Sequence, residues 1–274
     1  MTTHDVPPIT IRELSSLADY DACIALQDDT WGHGFSERVP GAILRVSQKI
    51  GGVAAGAFDS NDRMLGFVFG MTGLQHGRPV HWSDMLAVRP EARGLGLGEA
   101  LKAHQRDVVV PLGVHRMLWT ADPLVARNAH FNINHLGAFP AEYVENMYGE
   151  NTGSILHGAM PTDRVVYHWE LTATGAAPVR SGAADAGDST LPQAIAAQPD
   201  GTPVAVPTVD AAAVRITIPH DLSAVQAVNL DLARAWRIAA RAAFTARFAQ
   251  GLLVTRFVRG HDDRLPYYVL SATR

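Results

Sequence analysis

The sequence predicts a mixed α/β (α+β) fold. A mixed sheet flanked by helices occupies residues 1–171, and a βαββ region is appended over residues 213–274. Three observations predict it. Short apolar runs with strand-like alternation recur through the first 171 residues, separated by stretches with helical spacing. One such run, Met85-Leu86-Ala87-Val88, turns through Arg93-Gly94-Leu95-Gly96-Leu97-Gly98 into a helix. Residues 172–212 are rich in Ala, Gly, Pro, Asp, Ser and Thr without a large apolar period, and read as a flexible linker between the two parts.

The elements follow in order. Ile9–Leu14 alternates as a strand, and Ser16 or Asp19 caps a helix running to about Thr30. Trp31-Gly32-His33-Gly34-Phe35 is a loop. A second helix starts at Ser36 or Arg38, continues toward Lys49 and stops at Gly51-Gly52. Val53–Phe58 and Met64–Met71 are strands joined by the turn Asp59-Ser60-Asn61-Asp62. His81–Val88 is the strand before the glycine cluster, and the helix Glu99–Val109 ends at Pro111-Leu112-Gly113. His115–Thr120 is a strand, Arg127–Leu136 a helix, and Phe139–Tyr148 and Arg164–Leu171 complete the sheet. Beyond the linker come a strand at Val214–Ile218 and one long helix from Asp221 to Gly251. That helix carries Leu222, Val225, Val228, Leu232, Trp236, Ala240 and Phe244 on one face, and a hairpin of Leu252–Val258 with Tyr267–Leu270 follows. The helical stripe suits a core or a homodimer interface.

Composition narrows the function. The chain has 274 residues, 47% hydrophobic and 18% charged, with a net charge of −4, so no basic surface for nucleic acid is expected. Cys23 is the only cysteine, so there is no intrachain disulfide or cysteine cage, and its apolar helical stretch suits a buried thiol. The opening MTTHDVPPIT lacks the basic and apolar regions of a signal peptide, and no apolar run approaches a membrane span. A cytoplasmic protein without membrane contact is the expectation.

A glycine turn from a strand into a helix is a device for holding phosphate. Glycine lets the backbone approach an anion, and the helix start presents free N–H groups. Three ligand classes compete for it. A mononucleotide P-loop needs Lys followed by Ser or Thr after the last glycine, but Glu99-Ala100 follows Gly98. A dinucleotide fingerprint needs a third glycine where Glu99 stands. The pattern R-x-x-G-x-G after a strand ending L-x-V is met by Arg93, Gly96 and Gly98 with Leu86 and Val88.

The segment DMLAVRPEARGLGLGEALK resembles the acyl-CoA motif of the GNAT superfamily of N-acyltransferases, and the order of elements over about residues 9–171 is similar to that fold. RNAHFNINHLGAFPAEYVENMYG and WRIAARAAF are similar to a GNAT subgroup with an extra C-terminal region, some of whose members are associated with N-succinylamino acid metabolism. The resemblance implies that the strand of Leu86, Ala87 and Val88 parts from the strand of Leu118 and Trp119. The pantetheine arm would then bond to Leu86–Val88 like an added strand. It implies pyrophosphate on the N–H groups of Gly94, Leu95, Gly96, Leu97 and Gly98 with Arg93 adding charge, and Asn128 beside the pantetheine. The co-substrate implied is acetyl-CoA or another acyl-CoA, and the partner a small amine.

Direct attack of an amine on a thioester needs a base, a donor for the thioester oxygen, and a fate for the thiolate. Asp84 is the first choice of base: it shares parity with Leu86 and Val88, and a bulge would aim it into the cleft, where burial raises its pKa. His81 and His33 are second choices. GNAT enzymes commonly place a Tyr acid where this chain has Ile133, flanked by Asn132 and Asn134. Trp31, His33 and Phe35 border the acceptor amine in that fold. Arg237 and Arg241, with Arg234 on the same helix face, are candidates to clamp a carboxylate of a succinyl group or an amino acid. His130 and His135 are five apart and do not share an α-helical face, so no metal is expected. An amino-acid N-succinyltransferase, a catalytically inactive acyl-CoA-binding module and a nucleotide-binding domain are the rivals.

Overall fold

The computed structural model describes residues 8–171, 190–206, 211–261 and 264–272. They form two units: residues 8–119, 152–158 and 170–171 make the first, and residues 120–151, 159–169 and those from 190 onward the second.

In the first unit β1 (Thr10–Glu13), β2 (Val53–Phe58), β3 (Met64–Gln75) and β4 (Arg78–Val88) are joined in sequence order by antiparallel ladders. The opening residues of β5 (Arg116–Ala121) then pair in parallel with β4, so the sheet is mixed. α1 (Leu17–Trp31) starts where the sequence expects it, because Ser16 and Asp19 form a reciprocal capping box. α2 (Gly41–Lys49) starts later than expected: Pro40 sits at its N-cap, with no N–H to lose. α1 and α2 cover one face, where Cys23, Leu26 and Leu44 pack on Phe67, Phe69, Met85 and Ala87. Burial pushes the Cys23 thiol pKa up to about 12, so it stays protonated. α3 (Leu97–Val109) contacts β2, β3 and β4, and a Cβ on Gly66 would touch its Leu101.

β3 and β4 are longer than the sequence reading allows. They continue to a two-residue turn, His76-Gly77, with φ of 51° and 75°. Two successive positive φ values match the right-handed twist of a hairpin, and glycine takes the second without strain.

The second unit holds the antiparallel pair β6 (Phe139–Val144) and β7 (Arg164–Glu170). It also holds a five-stranded sheet ordered β11-β12-β10-β8-β9. Its strands are β8 (Gln193–Ala197), β9 (Pro203–Ala205), β10 (Ala213–Thr217), β11 (Leu253–Val258) and β12 (Tyr267–Ser271). β10, β11 and β12 agree with the expected βαββ region. β8 and β9 fall inside the stretch expected to be linker: Ala194 and Ile195 are buried, and β8 pairs in parallel with β10. Small residues hid this strand, because alternation of Ala with Ala carries no hydropathy signal. The remainder of that stretch, 172–189 and 207–210, lies outside the described residues.

The long C-terminal helix is two. α5 (Leu222–Val228) ends at Asn229, whose extended backbone and side chain cap α6 (Leu230–Ala249) at Leu232 N–H. The break rotates the stripe, so Val228 is exposed while Trp236, Ala240 and Phe244 are buried. The helix expected over Arg127–Leu136 is also composite. It is a short α4 (Ala126–Ala129) followed by a π-helical turn, His130–His135.

Candidate functional site

The glycine cluster turns the chain from β4 into α3. A short 3-10 turn, Pro90–Ala92, leads to Arg93, and Gly94 and Gly96 take φ of 85° and 74°. Gly96 is the N-cap of α3 in a left-handed conformation, and no side chain caps the helix. A Cβ at Gly94 or Gly96 would meet nothing within 4 Å, so backbone angle, not crowding, demands glycine there. The loop is exposed, Arg93 makes no ion pair among the described residues, and buried Leu97 anchors the helix start. Uncapped N–H groups, the positive end of a 13-residue helix and an unpaired arginine fit a diphosphate.

β4 supplies the second part. Its parallel ladder with β5 has two pairs, His81 with Met117 and Trp82 with Leu118, and then stops, while β4 runs on to Val88. Toward β3, Leu86, Ala87 and Val88 remain paired with Val68, Phe67 and Gly66. The edge of Leu86–Val88 that faces away from β3 therefore has no strand partner in this unit. Six residues of half-free strand lead to the phosphate loop, which suits a ligand arm lying along the edge.

Asp84 occupies a β-bulge. Phe69 pairs with Met85 and Gly70 with Ser83, leaving Asp84 as the extra residue. The bulge also breaks the parity expected of Asp84 with Leu86 and Val88. His81 and Ser83 face α3, and Val88 does too, since a Cβ on Gly66 would meet both Val88 and Leu101. Asp84 instead shares the α1–α2 side with Trp82, whose Nε1–H donates to its carboxyl at 3.2 Å, and with Met85 in the core. The carboxyl reaches solvent, yet the surrounding protein desolvates it enough to raise its pKa, and the Glu37 charge adds to the rise.

His81 is not available as a base. It is fully buried, its Nδ1 lies 2.9 Å from Thr72 Oγ1, and burial followed by the nearby Lys102 charge lowers its pKa to about 3. Thr72 donates its own proton to the Gly51 carbonyl, so the imidazole is the donor to Thr72 and is held neutral. His33 has an exposed side chain 3.4 Å from Asp28.

Trp31 and Phe35 stack at 5.9 Å, and Trp31 meets Phe67 edge-on, so both rings are partly buried against the core. Their loop is held by a segment that sequence reading passed over. Ser36 N–H donates to the Thr152 carbonyl, Ile155 N–H donates to the Trp31 carbonyl, and His157 packs edge-on to Phe35. Gly153, at φ 70°, makes this contact possible, since a Cβ there would overlap the Gly34 carbonyl. Exposed Ile155 and Leu156 extend the apolar wall. Only the Thr-Gly-Ser turn signal at 152–154 marks this stretch in the sequence.

The remaining predicted residues lie in the second unit. Asn128 is in α4 and its N–H donates to the Val125 carbonyl. Ile133 is fully buried between buried Asn132 and Asn134. Arg237 and Arg241 are not a free carboxylate clamp. Arg237 is 1% exposed and forks onto Asp122, with Nη1–Oδ1 at 2.7 Å. Arg241 forks onto Asp163 and also pairs with Glu145. Despite their desolvation, these guanidinium groups hold the Asp122 and Asp163 pKa values low.

His130 and His135 do come together, contrary to the α-helical spacing argument. The π-turn closes i to i+5 and brings their Nε2 atoms to 3.2 Å. Asn134 Nδ2 donates both to the Phe257 carbonyl and to His130 Nδ1. That direction leaves the neutral His130 proton on Nε2, pointing at His135, a hydrogen bond rather than a pair of metal-ready lone pairs. Among the described residues no group of three His, Cys, Asp or Glu side chains gathers, and no helix is long and apolar enough to cross a membrane.

No family model matches the chain, and no curated protein matches its sequence. Solved structures to which it is similar include acetyltransferases and putative acetyltransferases. One is the ribosomal-protein-S18-alanine N-acetyltransferase of Escherichia coli, at 18% identity and a TM-score of 0.46 over 62% of this chain and 97% of that one. Another is yncA, a putative acetyltransferase of Salmonella typhimurium solved with acetyl-CoA, at 19% identity and a TM-score of 0.48 over 62% and 97%. A third is a phosphinothricin acetyltransferase of Sinorhizobium meliloti in complex with acetyl-CoA, at 17% identity and a TM-score of 0.47 over 62% and 93%.

Proposed function

We propose that the protein is an acyl-CoA-dependent N-acyltransferase of GNAT type, moving an acetyl or other short acyl group to a small amine. The observation that carries this is the two-pair ladder. β4 parts from β5 at Trp82 and Leu118 and presents a free backbone edge that ends at an uncapped glycine helix start. Backbone N–H groups of Gly94–Gly98, with Arg93, bind the pyrophosphate, and Leu86, Ala87 and Val88 bond the pantetheine amides. From Val88 to Ser83 is five residues, about 17 Å of strand, similar to the length of an extended pantetheine arm. The thioester then lies level with Ser83 and Asp84.

Asp84 opens toward the acceptor side and takes the proton of the amine as its nitrogen attacks the thioester carbonyl. A raised pKa brings the carboxylate closer to the basicity this step needs. The new C–N bond forms, the C–S bond breaks, and CoA leaves as a thiolate protonated by solvent. Trp31, Phe35, Ile155 and Leu156 supply an apolar wall for the body of the amine. The succinyl-transfer alternative loses its support, since Arg237 and Arg241 are already paired.

Incubation of the protein with acetyl-CoA, succinyl-CoA and a panel of amines, read by mass spectrometry, tests the proposal. An N-acylated product is expected with acetyl-CoA. Retention of CoA with no acylated product from any amine would reduce the protein to a binding module. Stabilisation by NAD or ATP but not by CoA would favour a nucleotide-binding domain.

A further inference from the structure

Lys102 is a lysine in an unusual place. It lies on α3 beside the buried stripe Leu97, Leu101, Gln105 and Val109, and is itself 3% exposed. Long lysine stems normally carry the ammonium out to water. Here Nζ stays inside, with no carboxylate paired to it among the described residues. Burial accordingly lowers its pKa well below the usual lysine value.

Its two contacts come from two different strands. Nζ donates to Ser83 Oγ on β4 at 2.8 Å, and it sits 3.7 Å from the centre of the Trp119 ring on β5. Ser83 and Trp119 are the residues that follow the last bonded pair, Trp82 with Leu118. In an uninterrupted parallel ladder they would be the next neighbours. The tip of Lys102 engages both at the point where the strands stop pairing. Filling volume does not need an amine, since an apolar chain of the same length would pack there without a desolvation penalty.

We propose that Lys102 is a positioning residue that acts as a strut across the apex of the β4–β5 cleft, fixing the separation into which the acyl end of acyl-CoA fits. The assignment rests on the acyl-CoA reading above and adds to it a residue that neither the glycine motif nor the base marks. Ser83 is its footing on one strand and the Trp119 face its footing on the other. The phosphate loop stands at the N-terminus of α3, about one turn before Lys102, and is built from glycine backbone and Arg93, with which the strut makes no contact.

That separation of roles supplies the test. Acetyl-CoA spans both the loop and the apex, whereas adenosine 3′,5′-bisphosphate presents phosphates to the loop and does not reach the apex. Isothermal titration of both ligands is made against the full chain, Lys102→Met and Ser83→Ala. Lys102→Met keeps the length and removes the donor and the charge; it is expected to weaken acetyl-CoA about tenfold while the bisphosphate changes less than twofold. Ser83→Ala, which adds no volume, is expected to weaken acetyl-CoA about threefold with the bisphosphate again unmoved. Wild-type acetyl-CoA affinity in both variants, or equal loss of both ligands, overturns the assignment. A wild-type chain that binds neither ligand refutes the acyl-CoA reading itself, and is seen before any variant is compared.

Discussion

Gly96→Asp separates the ligand site from the fold. Gly96 is the left-handed N-cap of α3, with open space where a Cβ would go and no side-chain cap on the helix. An aspartate there meets about 1 kcal/mol of backbone strain, less than most residues because Asp tolerates this region. Against it stand a new cap for the α3 N–H groups, about 1 kcal/mol, and a negative charge at the positive end of the helix, about 0.5 kcal/mol. Stability should change by less than about 1 kcal/mol, or some 2–4 °C in melting temperature for a chain of this size. Ligand binding moves the other way. A carboxylate about 4 Å from a phosphate charge opposes it by about 1 kcal/mol in water-like surroundings and about 4 in partly buried ones. The N–H groups it caps are also lost to the ligand. A loss of about 30-fold or more in CoA affinity is expected. Calorimetric titration with CoA, alongside a thermal melt, reads both quantities. Gly96→Ala serves as control, with the strain and without the charge, and should keep most of the affinity. CoA affinity in Gly96→Asp within threefold of wild type would refute the phosphate assignment.

Asp84→Asn should lower kcat/KM by about 100-fold or more while leaving acetyl-CoA affinity unchanged, as steady-state rates and titration would show. Because the folded pKa of Asp84 is raised, folding is opposed as pH rises through that pKa, and the wild-type rate appears over the same rise; the Asn variant should therefore melt no lower than wild type at neutral pH and lack the acid limb of the rate profile. Arg237→Ala removes the fork on Asp122 and leaves it only the looser Arg164 contact at 3.9 Å; it should destabilise the chain by about 3 kcal/mol, against about 1 kcal/mol for the more exposed Arg241→Ala, both measured by urea denaturation. The lowered pKa values of Asp122 and Asp163 give stability that is present above the ordinary carboxylate range and lost as pH falls through and below it, so acid should unfold the second unit and Arg237→Ala should flatten that dependence. Gly153→Ala forces a Cβ onto the Gly34 carbonyl at a positive φ, and should lower the melting temperature by several degrees and raise KM for the amine more than for acetyl-CoA.

The sequence made the first unit's candidate ligand site legible because its signals are local. Arg93, Gly94, Gly96 and the run Met85–Val88 are adjacent in the chain, and each carries its own backbone preference. Asp84 was legible as a residue but not as a direction, since a bulge is set by pairing with Phe69 and Gly70 across the sheet. What failed was non-local. Arg237 meets Asp122 across 115 positions, so its helix face read as free charge when it is a buried ion pair. Lys102 carries no local signal, because its partners lie on two other strands. The π-turn at His130–His135 defeated a spacing rule written for 3.6 residues per turn. The Ala-rich β8 was invisible, because burial there depends on β10 rather than on its own hydropathy.

The short ladder between β4 and β5 makes the sheet incomplete where the ligand would lie. A molecule that bonds Leu86–Val88 then acts as part of the architecture, and its free concentration enters the folding equilibrium. At a hundred times its dissociation constant such a ligand adds about 2.7 kcal/mol to the native state. That is comparable to a buried side chain, yet it is encoded nowhere in the 274 residues. On the acyl-CoA proposal, the persistence of this protein in a cell would follow the supply of its own ligand.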